Sequence, residues 1–260
     1  MTDPTVLFEV RDHVGVITIN RPHRHNALDD DTSALFTETL QHAISSELTR
    51  AILLQGAGRS FCSGRDAAQL GQRNADESDF DFVRHHSDAR VRQLACPKPM
   101  VAAINGYALG GGLELALGAD VRIASTDARL GLPEVNYGLV PDTGGTQTLT
   151  SLIGPSRAKL MIIGGQPIDA ATALQWGLVD QLVEPDGLHA TAFEIAQRFA
   201  TAPPMAARMA KQLIDMAWAS RINDGMRAEL LAQVALFGSH DYAEAKAARL
   251  ERRSPLYTGR

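Results

Sequence analysis

A run of glycines is the first place in the chain where chemistry could be done. Four glycines fall within the segment Asn105-Gly106-Tyr107-Ala108-Leu109-Gly110-Gly111-Gly112-Leu113-Glu114, between an apolar stretch and a good helix former. A strand, glycine turn and helix in this order leave free N–H groups at the helix N-terminus, where the helix dipole favours negative charge. Such a turn can bind a phosphate or stabilise an oxyanion, or it can simply allow close packing of helix and strand. By itself the run leaves these alternatives open.

A second segment of small residues has the same character. Ser60-Phe61-Cys62-Ser63-Gly64-Arg65-Asp66 follows a short apolar segment at residues 51–54. Small residues around Gly64 would let the backbone approach a ligand closely.

Carboxylic acids near glycine-spaced apolar residues are the remaining candidates. Glu114 ends the glycine segment, and Glu134 lies in Gly131-Leu132-Pro133-Glu134-Val135. An acid in the second context is either a surface cap or a desolvated proton carrier with a raised pKa. The chain between the two acids is long enough for a helix, a returning strand and a turn, so the acids could face each other.

Other site classes lack their motifs. Gly56-Ala57-Gly58-Arg59-Ser60-Phe61 starts like a dinucleotide fingerprint, but phenylalanine stands at the third glycine position. The phosphate-loop, nucleophile-elbow and HExxH patterns are absent from the sequence. The histidines show no metal spacing, and Cys62 and Cys96 form no CxxC pair. We therefore expect no metal site and buried, unpaired thiols.

Composition points to an ordinary globular protein. The chain has 260 residues, 45% of them hydrophobic, and a formal net charge of −5. This charge gives no global attraction to nucleic acid or to an anionic membrane. We expect neither partner, and the lack of a leader or membrane helix pattern predicts a cytoplasmic protein.

Hydrophobic patterns predict an α/β core followed by helices. Runs at residues 6–10 and 14–19 predict a hairpin, those at 51–54, 100–104 and 121–124 predict buried strands, and 29–44 predicts a helix. From about residue 169 the strand signals fade, and helices are predicted at 205–219, 224–237 and 242–253. The polar stretch 71–92 is expected to be a mobile surface segment or, alternatively, a lid. Lys98, between two prolines, is expected to be solvated.

In this order the motifs resemble the crotonase (enoyl-CoA hydratase/isomerase) superfamily over essentially the whole chain. The resemblance is carried by Asn20-Arg21-Pro22, Asn26-Ala27-Leu28, Phe61–Asp66, Asn105–Glu114, Pro133-Glu134 and Gly144-Gly145-Thr146-Gln147. It implies an α/β fold, a spiral of repeated ββα units with a helical C-terminal region. The implied division is an active-site core at 1–195 and a helical oligomerisation region at 196–260.

The resemblance also implies an acyl-CoA thioester substrate and a set of site residues. The N–H groups of Arg65 and Gly111 would form an oxyanion hole for the thioester oxygen. Glu114 and Glu134 match the two catalytic glutamates of enoyl-CoA hydratases, which add water to a 2-trans-enoyl-CoA, so a lyase is the first hypothesis. No cofactor or metal is implied.

Three further implications leave alternatives open. Asp142 stands where hydratases commonly have glycine and some isomerases have a working aspartate, so a double-bond isomerase is the alternative and a turn residue is the plainer interpretation. A non-catalytic acyl-CoA-binding protein is a second alternative. The family's usual assembly predicts a homotrimer or a dimer of trimers. The implied CoA-binding residues are Arg24, Ser63, Asp66, Ala67 and Ala68.

Overall fold

The strands and helices of the protein are taken from a computed structural model, which describes residues 4–69, 72, 76–216 and 219–256. The strands are β1 (Val6–Arg11), β2 (Val14–Ile19), β3 (Ala51–Gly56), β4 (Met100–Ile104), β5 (Tyr107–Leu109), β6 (Val121–Ser125), β7 (Arg129–Gly131), β8 (Ile168–Asp169) and β9 (Gln181–Val183). The α-helices are α1 (Asp30–Ser45), α2 (Asp79–Leu94), α3 (Gly111–Leu117), α4 (Gly145–Ile153), α5 (Pro155–Gly164), α6 (Ala170–Trp176), α7 (Leu188–Thr201), α8 (Pro204–Met216), α9 (Ala219–Phe237) and α10 (His240–Glu251).

The larger sheet has six strands in the order β1-β2-β3-β4-β6-β9. The pair β1–β2 is antiparallel, which confirms the predicted hairpin, and the other neighbours are parallel. Every residue of β4 is buried, as expected for a parallel strand covered on both faces. The α/β class predicted from the sequence is therefore confirmed, and α1 and α7 pack against this sheet.

A smaller sheet, in the order β5-β7-β8, carries the functional region. Its strand β5 follows β4 after a turn at Gly106, and α3 begins two residues after β5 ends. An added side chain at Gly112 would lie 2.1 Å from the backbone oxygen of Cys62, so only glycine lets α3 approach this segment so closely. The close packing of α3 and the free N–H groups at its N-terminus thus both depend on the glycine run.

Two of the C-terminal helices, α9 and α10, pack on earlier parts of the chain. Helix α9 contacts α2 and α4, and α10 contacts the 3₁₀ turn Glu134–Tyr137. The division at residue 195 and the oligomerising role of residues 196–260 stay predictions.

Part of the expectation for residues 71–92 is wrong. Residues from 79 onward form α2, which begins after the N-cap Ser78 and buries Val83, Ser87, Arg90 and Gln93. Three of these four buried side chains are polar, so the segment lacks the apolar periodicity that indicates a packed helix. Residues 71 and 73–75 of the predicted segment lie outside the described part of the chain.

Two smaller expectations also fail. The side chain of Lys98 is buried, and its Nζ donates to the backbone oxygens of Ala43 (2.8 Å) and Ser46 (2.7 Å) at the end of α1. A helix C-terminus offers unpaired carbonyl groups that suit a buried ammonium. Strand β9 was not predicted, because three residues are too few to show a period. Across the described ranges no helix is both long and apolar enough to span a membrane.

Candidate active site

The two glycine segments meet in space. Cys62 pairs with β5, because its N–H donates to the oxygen of Tyr107 and its oxygen accepts from Leu109 N–H, each at 3.0 Å. Gly64 has φ of +90°, and a Cβ placed on it would lie 2.7 Å from the Leu109 oxygen and 3.3 Å from the Gly111 nitrogen. A side chain at position 64 would therefore both strain the backbone and separate the two turns.

This meeting leaves two N–H groups available. Leu28 pairs with the residues on either side of Arg65, donating to the Gly64 oxygen and accepting from Asp66 N–H, each at 2.8 Å, so the N–H of Arg65 takes no part in that pairing. Gly111 is the first residue of α3, where an N–H has no acceptor within the helix. A Cβ on Gly111 would meet no atom within 4 Å, so this residue faces open space.

The open space is a cavity of about 1250 Å³. It is bounded by α1, α2, the glycine turns, the 3₁₀ turn and the end of α9. The site residues predicted from the sequence that line it are Arg24, Ser63, Arg65, Asp66, Ala67, Gly111, Glu114, Glu134 and Asp142.

Glu114 is buried and fully engaged. One oxygen, Oε1, accepts from the N–H groups of Thr143 (3.0 Å) and Gly145 (2.8 Å), and the other accepts from the Thr143 hydroxyl (2.6 Å). A carboxylate that receives three donors is held in one orientation. The 140–146 loop therefore helps to fix the orientation of the Glu114 side chain, which its place on α3 does not set alone.

Glu134 has the opposite surroundings. Its Oε1 lies beside Gly110, where φ is +53° and a Cβ would be 3.1 Å away, so the backbone favours glycine and a side chain there would crowd the carboxyl group. Its Oε2 is buried and has no hydrogen-bond partner among the described residues. Burial raises the pKa of this carboxyl well above its usual range, and the negative charge of Glu114 raises it further.

Asp142 lies in the same cavity as the two glutamates. Its pKa is raised to about 8, first by burial and then by the charges of Glu114 and Glu229, while the Nε2 of Gln233 donates to its Oδ2 at 3.2 Å. The three acids that the sequence singled out are thus brought together.

Sequence reasoning missed three residues around this cluster. Glu229 and Gln233 of α9 contact the 140–146 loop, and burial, with the nearby charge of Glu114, raises the pKa of Glu229 to about 7. Arg90 of α2 is buried near the acids; burial lowers its pKa to about 10, which the charges of Glu114 and Asp142 partly oppose. No motif near Glu229 or Gln233 indicates that they belong to a site. Arg90 could have been predicted only if α2 had first been recognised as a packed helix.

The residues expected to bind CoA are only partly in place. Arg24 is exposed at the cavity rim. Asp66 pairs with Arg21 at 3.1 Å and accepts from Ala68 N–H at 3.0 Å, so its carboxylate is engaged within the loop. Among the described residues, Ala67 lines the cavity and Ala68 does not.

The side chain of Arg65 is held apart from its own backbone N–H. Its guanidinium pairs with Asp30 at the start of α1 (2.6 Å) and lies 5.7 Å from the Phe82 ring centre. Although the side chain is large, it is therefore held away from the backbone N–H of residue 65.

Metal and thiol chemistry find no support in the described ranges. No group of three or more His, Cys, Asp or Glu side chains there is arranged to hold a metal ion. Cys62 and Cys96 are buried and unpaired, as predicted, and burial raises the pKa of the Cys62 thiol to about 12. Neither thiol is a ready nucleophile.

Comparison with known proteins supports the resemblance. Residues 9–260 match the enoyl-CoA hydratase/isomerase family. The chain is 38% identical over 250 residues to a short-chain-enoyl-CoA hydratase of Clostridium acetobutylicum, covering 95% of each chain. It is 36% identical to a 1,2-epoxyphenylacetyl-CoA isomerase of Escherichia coli, covering 98% of each. A solved enoyl-CoA hydratase structure from Mycobacterium avium subsp. paratuberculosis superposes with a TM-score of 0.87 at 28% identity, covering 98% of this chain and 99% of that one.

Proposed function

Because the chain belongs to the enoyl-CoA hydratase/isomerase family, we propose that it is a hydratase that adds water to a 2-trans-enoyl-CoA to give the 3-hydroxyacyl-CoA. One observation carries the proposal: two carboxyl groups in opposite environments, Glu114 saturated with donors and Glu134 with an unpartnered oxygen, line one cavity beside two free N–H groups. Pairs of acids whose environments separate their pKa values divide into a base and an acid.

The N–H groups of Arg65 and Gly111 are proposed to receive the thioester oxygen. As water adds, negative charge accumulates on this oxygen, and each backbone donor can stabilise it by about 3 kcal/mol. The N-terminus of α3, which begins at Gly111, adds a favourable dipole. Withdrawal of electrons towards this oxygen makes Cβ electrophilic.

The two glutamates are proposed to supply the proton transfers. Glu114, ionised and held by three donors, accepts a proton from water while the water oxygen bonds to Cβ. Glu134, protonated because of its raised pKa, gives its proton to Cα, where the electron pair of the former double bond forms the new C–H bond. A proton passed from Glu114 to Glu134 then restores both groups. Water has been added across the double bond, and no redox cofactor or metal is needed for this balance.

Turnover of crotonyl-CoA tests the proposal. Hydration removes the absorbance of the conjugated thioester, so this absorbance should decrease when wild-type protein is added to crotonyl-CoA. Acyl chains of several lengths extend the assay, because the cavity does not by itself set chain length. Binding of these esters without turnover of any of them would instead support a non-catalytic acyl-CoA-binding protein.

A matched pair of variants tests the oxyanion hole. Gly111→Pro removes the N–H but suits the first position of a helix, and Gly111→Ala keeps the N–H and adds a methyl group in open space. We expect proline to lower kcat by about 10²–10³-fold. Alanine should retain a clearly larger share of activity. Equal losses in the two variants would show that the donor is not Gly111.

Asp142 favours a second candidate, the double-bond isomerase. It lies in the cavity, and its pKa of about 8 is suited to moving a proton near neutral pH. The candidate predicts conversion of a 3-enoyl-CoA to the 2-enoyl isomer, retained in Glu114→Gln and lost in Glu134→Gln. Loss of isomerisation in Asp142→Asn would place the aspartate in that reaction.

The wider setting is proposed on the same basis. The cavity rim at Arg24, Ser63 and Ala67 is proposed to hold the CoA end, with fatty acid oxidation as the expected context. A cytoplasmic homotrimer or dimer of trimers, assembled through residues 196–260, completes the proposal. Light scattering tests the assembly, and a monomer would contradict it.

A further inference from the structure

The 140–146 loop is held from two sides by carboxylates on different helices. The N–H groups of Thr143 and Gly145 donate to Glu114 of α3 at 3.0 and 2.8 Å. The N–H groups of Gly144 and Thr146 donate to Glu229 of α9 at 2.8 and 3.0 Å, and the Thr146 hydroxyl donates to the same carboxylate. Successive N–H groups of the loop thus alternate between the two acids.

This arrangement replaces a cap that α4 does not have. The N-cap of α4 is Gly144, with φ of +93°, and no side chain of its own caps the helix. The free N–H groups at its start are instead satisfied by Glu114 and Glu229, and the helix dipole stabilises both negative charges. A shift of the helix start away from one acid must therefore change its contacts with the other.

Gln233, one turn further along α9, extends the contact. Its Oε1 accepts from Val140 N–H and its Nε2 donates to Asp142, each at 3.2 Å. Residues four apart share a helix face, so Glu229 and Gln233 hold the loop from the same side. Of these two, only Gln233 is among the described residues that line the cavity.

We propose that Glu229 is a positioning residue, which acts on the reaction through the 140–146 loop by fixing the orientation of Glu114. The inference rests on the proposed function for its kinetic consequence. Glu229 also faces charged groups, which are Glu114 from α3, Glu134 from the 3₁₀ turn and Asp142 from the loop, and the charge of Arg90 from α2 acts on Glu114 and Asp142. Its negative charge therefore helps to keep Glu134 protonated.

Glu229→Gln is the direct test. The amide keeps the size of the side chain but has a single acceptor oxygen, so the N–H of either Gly144 or Thr146 loses its partner. We expect kcat on crotonyl-CoA to fall by about 10–100-fold, the loss of one charge-assisted buried hydrogen bond, with KM changed little. The pH at which activity is lost on the alkaline side should move to lower pH, because the pKa of Glu134 falls when a neighbouring negative charge is removed.

Two further measurements complete the test. Amide hydrogen exchange of the peptide spanning 140–148, in protein without ligand, should be faster in Glu229→Gln, whatever the substrate is. Arg227→Gln, an exposed change on the same helix, should alter none of these readings. If Glu229→Gln does not fold, Thr146→Val removes only the hydroxyl donor to Glu229 and should lower kcat by a smaller factor, in the same pattern.

The outcomes separate the two proposals. Absence of wild-type turnover on every enoyl-CoA contradicts the function but leaves the exchange measurement to decide the role of Glu229. Unchanged exchange in the 140–148 peptide overturns the inference. Faster exchange with kcat per folded protein and the pH profile both unchanged also overturns it, because Glu229 would then serve stability alone.

Discussion

The start of α3 and the 3₁₀ turn at Glu134–Tyr137 place the same kind of side chain in the same cavity but surround it differently. Glu114 at the first accepts three hydrogen bonds from the 140–146 loop, whereas Glu134 at the second has a buried oxygen with no partner within the described ranges. Backbone donors stabilise a carboxylate, and burial without donors stabilises the neutral acid. The raised pKa of Glu134 and the fixed orientation of Glu114 thus both come from their neighbours.

Glu134→Gln should have the largest effect. An amide cannot give a proton to Cα, so we expect kcat on a 2-enoyl-CoA to fall by about 10³–10⁴-fold. Steady-state kinetics with crotonyl-CoA measures the change. The fold should be preserved, because the neutral amide resembles the protonated carboxyl group that the site favours. A loss below tenfold would mean that Glu134 is not the proton donor.

Glu114→Gln should come second. The amide oxygen can still accept from Thr143 and Gly145, and the Thr143 hydroxyl can reverse its role, so the loop keeps its position while the base is lost. We expect a fall in kcat of about 10²–10³-fold with KM little changed. A larger loss here than in Glu134→Gln would reverse the assignment of base and acid.

Thr143→Val sharpens the comparison from the side of the donors. It removes the hydroxyl that donates to Glu114 and leaves the two backbone donors in place. The loss of one hydrogen bond to a charged group is worth about 1.5–3 kcal/mol, so we expect roughly tenfold to hundredfold lower kcat. An unchanged kcat would show that this hydroxyl does not position the carboxylate of Glu114.

Asp142→Asn should have the smallest effect on hydration and a visible one on stability. The pKa of Asp142 in the fold is about 8, above its ordinary value of 3.8, so the folded state favours the protonated form. Its contribution to stability is therefore greatest below pH 4 and is lost as the pH rises towards 8. The neutral amide avoids this loss, so the Tm should rise by a few degrees at pH 8, where about 1 kcal/mol corresponds to 2–4 °C.

Thermal denaturation of wild-type protein and variant at pH 5 and pH 8 measures the difference. The gain in Tm at pH 5 should be smaller than at pH 8. An equal gain at both values would mean that Asp142 does not titrate between them in the fold.

Local patterns predicted the elements that have a strong period or a distinctive turn. The hairpin β1–β2, the buried strand β4 and the glycine turn before α3 each follow from a few neighbouring residues. Patterns failed where burial is polar. The buried face of α2 includes Arg90 and Gln93, and Lys98 is buried against carbonyl groups at the end of α1. Such side chains look solvated in sequence because their partners are distant along the chain.

The sequence by itself determined which groups are available: two glycine segments, two glutamates and an aspartate. These are properties of residue type and of short-range backbone geometry. The tertiary structure alone decided what each acid does. It brought the 140–146 loop to Glu114, buried an oxygen of Glu134 away from the donors of the described residues and placed Glu229 of α9 against the loop. A pKa depends on charges and donors within a few ångströms, and the fold supplies these from segments far apart in the chain.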